Sequence, residues 1–353
     1  MKILSLINET KLFKETTPVR ELFFSPEDHK RLLSLGEVTY IPEEDVHNIR
    51  EPEILSKFQK ILPTIDVIYQ DGCFIPEDIL TPYTNVKAIV QMRAPFPKYS
   101  AEFYINALER GVHFLSESPA YAPSVAEFAL GLSINLLRNI TEYNVKMRNG
   151  EEKFSYCVEN LSDKGLYGKS VGILGFGRIG KMFLSLLKPF NVNVFIYDPF
   201  VSDETAAAYG VTKCDDINDL LPQIDLLVLM AIPHESNRHI IDATTLRRLK
   251  KGAAIVNVAR AHLVNYEDLI VWLRSGNGKA ALDVFEKEPL AKDSELRQIP
   301  NLLLTPHRAG GILDSYRLIG HSMIDDFYAI KENKMPTNML RLTKETMDVY
   351  FNK

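Results

Sequence analysis

Cysteine is scarce in this chain. Its three cysteines, Cys73, Cys157 and Cys214, are scattered, odd in number and in no metal-ligand spacing. That argues against a disulfide framework and a cysteine metal site, and the three read as free thiols in a reducing compartment. Basic charge is not in excess: the net charge is −5, whereas a nucleic-acid partner would favour a basic face. No apolar run approaches the length of a membrane span. The opening MKILSLINET has one lysine and too short an apolar run for a secretion signal, so it reads as a first strand. Internal repeats and low-complexity tracts are also missing. The expectation is a cytoplasmic protein with no membrane, nucleic-acid or metal partner. At 353 residues, 46% hydrophobic and 25% charged, the chain has an ordinary globular composition and favours two domains over one.

What is present is alternation. Short apolar runs at 2–7, 37–41, 65–69, 86–92 and 112–115 read as strands. Helical segments at 25–35, 51–62 and 101–110 lie between them, the first opened by Ser25-Pro26 and stopped by Gly36. Strands separated by helices mean a parallel sheet with crossovers. A long periodic segment follows, 125 to about 148, with Ser124 and Glu127 spaced as a capping box. Such a helix would cross between domains or form a subunit interface. The stretch 150–167 reads as an irregular loop able to wrap a neighbour.

The next stretch carries the strongest signal. An apolar run, Val171 to Leu174, leads into Gly175, Gly177 and Gly180 in G-x-G-x-x-G spacing. A helical face of Ile179, Met182, Phe183, Leu186 and Leu187 follows, and a second apolar run ends in Asp198. Strand, tight turn, helix, strand and acid together are the dinucleotide fingerprint. Gly175 lets the chain turn, Gly177 lets a pyrophosphate approach the backbone, and Gly180 lets the helix lie close on the sheet. The helix N-terminus offers N–H groups and partial positive charge to the phosphates. Asp198 accepts the ribose hydroxyls and repels a 2′-phosphate, which favours NAD over NADP.

Further apolar strands alternate with helices to the end of this half. One, 225–231, is followed by Pro233, taken with the coenzyme residues; one runs into Arg260; one carries Asp283 with Glu288 just beyond; one ends at His307. Ligands of doubly wound sheets bind beyond the carboxyl ends of the strands. Each residue alone has a plain reading as surface cation, loop acid or turn histidine. Jointly they suit reduction of a 2-oxo acid: a cation for the carboxylate, an imidazole for the proton, and an acid that orients the imidazole. His234, His239 and His262 lack a paired acid nearby in sequence and read as surface or loop residues. A last helix, 312 to about 332, precedes a polar tail.

The runs VGILGFGRIG, NVAR, AALDVFEKEP and TPHRAG, with SVAEFALGL before them, resemble the D-isomer-specific 2-hydroxyacid dehydrogenase family over about residues 65 to 335. The resemblance implies an α/β fold with two Rossmann-like, doubly wound parallel-sheet domains and a substrate cleft between them. Residues 1–120 would form the substrate domain and 121–306 the NAD-binding domain, with 307–353 returning to the first. It implies Arg260 as the carboxylate group, Glu288 as the acid partner and His307 as general acid/base. It further implies Arg178 and Ile179 as backbone pyrophosphate contacts and Asp198 as the ribose acid. Val258, Ala259 and Asp283 fall where the nicotinamide carboxamide is held, and Gly310 near the ring. A homodimer through the NAD domain and the long helix is implied as well.

The chain departs from the family in two places. Arg260-Ala261 stands where Arg-Gly is common. The glycine-rich loop whose N–H groups bind the substrate carboxylate is replaced by Met92-Arg93-Ala94-Pro95-Phe96-Pro97, where prolines remove donors. Arg93 and Ala94 are candidate substrate contacts. Arg93 would supply bonds that favour a dianionic substrate, or else pair with an acid such as Asp71. Ending soon after the last helix, the chain is expected to have no C-terminal regulatory domain. The sequence reads as an NAD-dependent oxidoreductase of D-2-hydroxy acids and 2-oxo acids. An NAD(H)-sensing, corepressor-like binding protein on the same fold is the alternative. A formate dehydrogenase ranks third, because that branch uses glutamine where Glu288 stands.

Overall fold

The computed structural model describes residues 1–7, 12–13, 17–93, 96–97, 99–151, 163–344 and 346–347. Ala94, Pro95, Cys157 and most of the stretch expected to wrap a neighbour lie outside them. The chain divides into two compact units, Met1–Tyr121 with Ile312–Lys353, and Ala122–Gly311.

The first unit is built on strands β1 (Lys2–Ser5), β2 (Glu37–Tyr40), β3 (Val67–Gln70), β4 (Ala88–Gln91) and β5 (His113–Ser116), paired in the order β2-β1-β3-β4-β5, all parallel. This is a doubly wound order, and it reverses between β1 and β3. Alternate residues feed two cores. Ile3, Val67, Tyr69 and Val90 pack in one with Met323 and Phe327, and Leu4, Ile68 and Ile89 pack in the other with Phe58 and Phe103. Helix α1 (Pro26–Leu35) begins as its sequence dictates: Ser25 accepts the Asp28 N–H, and Pro26 occupies a first-turn position where no donor is needed.

The second unit begins with two helices, α2 (Ala122–Arg138) and α3 (Ile140–Asn149). This departs from the single long helix expected. Helix α2 starts after a short turn, with Pro123 in its first turn, so Ser124 lies inside the helix rather than capping it. The break falls at Asn139, which takes a left-handed φ of 53°, a conformation asparagine tolerates better than most residues. Its side chain donates to Asp163 at 2.6 Å and accepts from Lys279, and Asn135 caps the Thr141 N–H at 2.9 Å. The segment Ser118–Arg138 is also long and apolar enough by composition to cross a membrane, contrary to the sequence reading, but 56% of that window is buried inside the protein. Helix α2 packs on the fingerprint helix α4 (Arg178–Leu187) and on two strands of the second sheet.

That sheet has seven parallel strands: β6 (Ser170–Leu174), β7 (Asn193–Tyr197), β8 (Thr212–Lys213), β9 (Leu226–Leu229), β10 (Ala253–Asn257), β11 (Gly278–Leu282) and β12 (Leu302–Leu304). Their order is β8-β7-β6-β9-β10-β11-β12. The central strands β9 and β10 are buried throughout, as strands covered on both faces must be. The order reverses between β6 and β9, which puts a ligand crevice at their carboxyl ends. Helix α5 (Tyr266–Arg274) is capped by Asn265, as its sequence indicates.

The polar tail is not structureless. After helix α6 (Leu313–Lys331), the first-unit sheet gains an antiparallel edge when Leu340–Arg341 pairs with β5. The fully buried Asp326 on α6 holds this return by accepting the N–H groups of Thr337, Asn338 and Met339. A two-residue strand carries no alternation to read, so the sequence did not reveal it.

Candidate active site

The glycine turn is set by close approach. Gly175 has a φ of +94°, and a Cβ there would come within 2.4 Å of Ala231 Cα at the end of β9. A Cβ on Gly180 would lie 2.6 Å from Gly175 O, so helix α4 rests against the turn itself. Gly177 is different: an added Cβ would meet nothing within 4 Å. Gly177 caps α4 without a side-chain hydrogen bond, which leaves the first-turn N–H groups around Arg178 and Ile179 uncapped by a side chain. These features fit a pyrophosphate.

Asp198 follows β7 and faces this turn. Its Oδ2 accepts the Phe176 N–H at 2.7 Å and its Oδ1 the Phe200 N–H at 2.9 Å. Each carboxylate oxygen retains a second acceptor site for a diol. The residues present therefore fit a dinucleotide. Pro233 lies half-buried just beyond β9.

Three strand ends supply the polar groups. At β10, the fully buried Asn257 accepts the Ala259 N–H at 3.0 Å and donates to Arg260 O at 3.0 Å, fixing the turn. Val258 and Ala259 are buried within it, and the exposed Arg260 side chain donates to Ala259 O at 2.7 Å. Arg260 makes no ion pair among the described residues. Beyond β11, Asp283 is fully buried and Glu288 Oε1 accepts the Phe285 N–H at 2.9 Å. Tyr266 donates to Val284 O at 2.5 Å and steadies the same segment. Beyond β12, His307 has a left-handed φ of 51° and Gly310 is half-buried.

His307 Nδ1 lies 2.7 Å from Glu288 Oε2. Burial opposes a charge on Glu288, but hydrogen bonds from His307 and the Phe285 amide, with the positive fields of His307 and Arg260, outweigh it. Together they hold its carboxyl below the ordinary glutamate range. An ionised carboxylate only accepts, so Nδ1 carries the shared proton and Nε2 is the atom left for chemistry.

The sequence singled out Arg260, Glu288 and His307, and the structure brings all three to neighbouring strand ends of one sheet. It missed Asn257, Tyr266 and Thr305, which hold the turns; a lone polar residue closing the apolar run AAIVN was the available signal for the first. Two of the other histidines are bonded within the loops of this unit. His262 Nε2 meets His234 O at 2.8 Å, and His234 caps a short turn. In the first unit, Arg93 follows β4 and Asp71 follows β3. Arg93 Nε and Nη2 donate to the Asp71 carboxylate at 2.5–3.0 Å, so the pairing with Asp71 that the sequence left open is present. Among the described residues, no group of acidic, histidine or cysteine side chains could hold a metal.

Residues 130–309 match the family model described as D-isomer specific 2-hydroxyacid dehydrogenase, NAD binding domain. The chain belongs to this family. It is an NAD-dependent oxidoreductase by that membership. It is 29% identical over 285 residues to D-3-phosphoglycerate dehydrogenase of Methanocaldococcus jannaschii, across 80% of this chain and 53% of that one. The chain thus spans about half the length of that relative. It is 30% identical to hydroxypyruvate reductase of Thermotoga maritima, across 77% of this chain and 87% of that one. The crystal structure of a phosphoglycerate oxidoreductase from Rhizobium etli superposes with a TM-score of 0.83 at 22% identity, covering 98% of this chain and 99% of that one. The last likeness bears on the fold alone.

Proposed function

We propose that this member interconverts a D-2-hydroxy acid and its 2-oxo acid, with His307 as general acid/base, Glu288 as its partner and Arg260 as the carboxylate-binding group. The pairing of His307 Nδ1 with Glu288 Oε2 at 2.7 Å carries the reading, because it commits the outward Nε2 to proton transfer. NAD(H), when bound, supplies or takes the hydride. Arg260 holds the substrate carboxylate through two parallel N–H bonds. His307 Nε2 donates a proton to the ketone oxygen in reduction and removes the hydroxyl proton in oxidation. Glu288 keeps the ring oriented and balances the imidazolium charge.

On this reading Arg178 and Ile179 contact the pyrophosphate through their N–H groups, and Asp198 takes the ribose. Pro233, Val258, Ala259, Asp283 and Gly310 surround the nicotinamide. We propose Arg93 and Ala94 as further substrate contacts. Asp71 balances the Arg93 charge, which weakens the case for a dianionic substrate. We further propose a cytoplasmic homodimer formed through the NAD domain. The alternative of an NAD(H)-sensing binding protein finds no support in the relatives described above.

Turnover decides between enzyme and sensor. Purified protein should oxidise NADH with hydroxypyruvate, or reduce NAD with D-3-phosphoglycerate, the acids named by the two relatives. His307→Asn should lower kcat by roughly 10²- to 10⁴-fold while NADH still binds, and Arg93→Ala should raise KM for the better substrate by about tenfold. Tight NADH binding without turnover on any 2-oxo acid would favour the sensor.

A further inference from the structure

The turn that presents His307 is held largely by one residue. Asp283 Oδ1 accepts the Thr305 hydroxyl at 2.6 Å and the Arg308 N–H at 2.8 Å, and its Oδ2 accepts the Ala309 N–H at 2.9 Å. Its backbone carbonyl accepts the His307 N–H at 2.8 Å. Four of the five residues from 305 to 309 are thus tied to it. The side chain is fully buried and makes no ion pair among the described residues, so its charge is balanced by donors from this turn rather than by a cation. His307 has a left-handed φ of 51°, a conformation that persists in a non-glycine residue only where the surroundings over-determine it. The bonds of Asp283 fall on both sides of that residue.

We infer that Asp283 is a positioning residue for His307: it locks the 305–309 turn so that the imidazole meets Glu288 and presents Nε2. The inference rests on the reading of His307 as acid/base. It gives Asp283 a task separate from contact with the nicotinamide carboxamide. Asparagine keeps the size but replaces one acceptor with a donor, which would then face the Ala309 N–H. The turn can no longer satisfy both amides, and His307 drifts from Glu288.

The test uses Asp283→Asn, Thr305→Val and Thr305→Ser, each checked for an unchanged melting curve. Thr305 lends its hydroxyl to Asp283, so Thr305→Val loosens the lock without altering the carboxylate, and serine should restore it. With the better substrate, kcat should fall by about tenfold or more in Asp283→Asn, less in Thr305→Val, and recover in Thr305→Ser, since an ångström of misplacement costs up to ~10²-fold. In the two Thr305 variants the NADH dissociation constant should stay within about threefold, because the reading gives Thr305 no coenzyme contact. A second readout needs no turnover: the low-field Nδ1 proton resonance of His307, assigned by its absence in His307→Asn, should broaden or move upfield in Asp283→Asn. If that resonance is unchanged, or the loss of rate follows weakened NADH binding alone, the positioning role is overturned. If the wild-type protein turns over no 2-oxo acid, the functional reading fails while the resonance still decides the role of Asp283.

Discussion

Glu288 shows how one carboxyl can report on a site. Burial raises the cost of its charge, and the His307 and Phe285 hydrogen bonds with the Arg260 field more than offset that cost. Its folded value is therefore depressed below the unfolded one. The stability this gives is fully present above roughly pH 4.3, the ordinary glutamate value, and is lost as pH falls through the depressed value. Glu288→Gln removes the titration. Its melting temperature should therefore fall less steeply than that of the wild type on acidification from neutral pH to about pH 3; parallel curves would show that the pairing does not stabilise the fold. The three residues of this constellation were legible because each follows an apolar strand run in the sequence. Tyr266 and Thr305 were not, because their partners, the Val284 carbonyl and the Asp283 carboxylate, are brought near only by the fold, whereas Asn257 bonds within three residues and was passed over as the end of a strand.

At the scale of elements, strands and caps were read within a residue or two wherever a local cause sets them. Ser25, Asn265 and the glycine turn are such causes. The break at Asn139 was not read, since the apolar period runs on and the groups holding it, Asp163 and Lys279, are distant in sequence. The break has a consequence for assembly. Helix α3 buries none of its residues within the chain and exposes Ile140, Val145 and Met147. Ile140 and Met147, seven residues apart, share one side of this helix, and that exposed apolar pair supports the proposed homodimer. Light scattering should give twice the chain mass, and Ile140→Glu with Met147→Glu should shift it toward the monomer. A monomeric wild type would end the dimer proposal.

For the whole molecule, the alternation of strands and helices indicated parallel sheets with crossovers, and the family resemblance supplied the two doubly wound units. The antiparallel strand Leu340–Arg341 was beyond reach, because Asp326 and β5, rather than its own pattern, define it.

The two units differ in a way that bears on synthesis. Ala122–Gly311 is one continuous stretch, whereas the other unit joins Met1–Tyr121 to Ile312–Lys353. Its core needs Ile319, Met323, Ile324 and Phe327 from the later segment. On a ribosome the middle of the chain can therefore close while the beginning waits, its apolar strand faces uncovered and open to chaperones. Nascent chains stalled with residues through 311 outside the exit tunnel should show a protease-resistant core from the middle stretch alone. Resistance of the first 121 residues should arise only after the last helix emerges; earlier resistance would mean that the N-terminal segment folds without it.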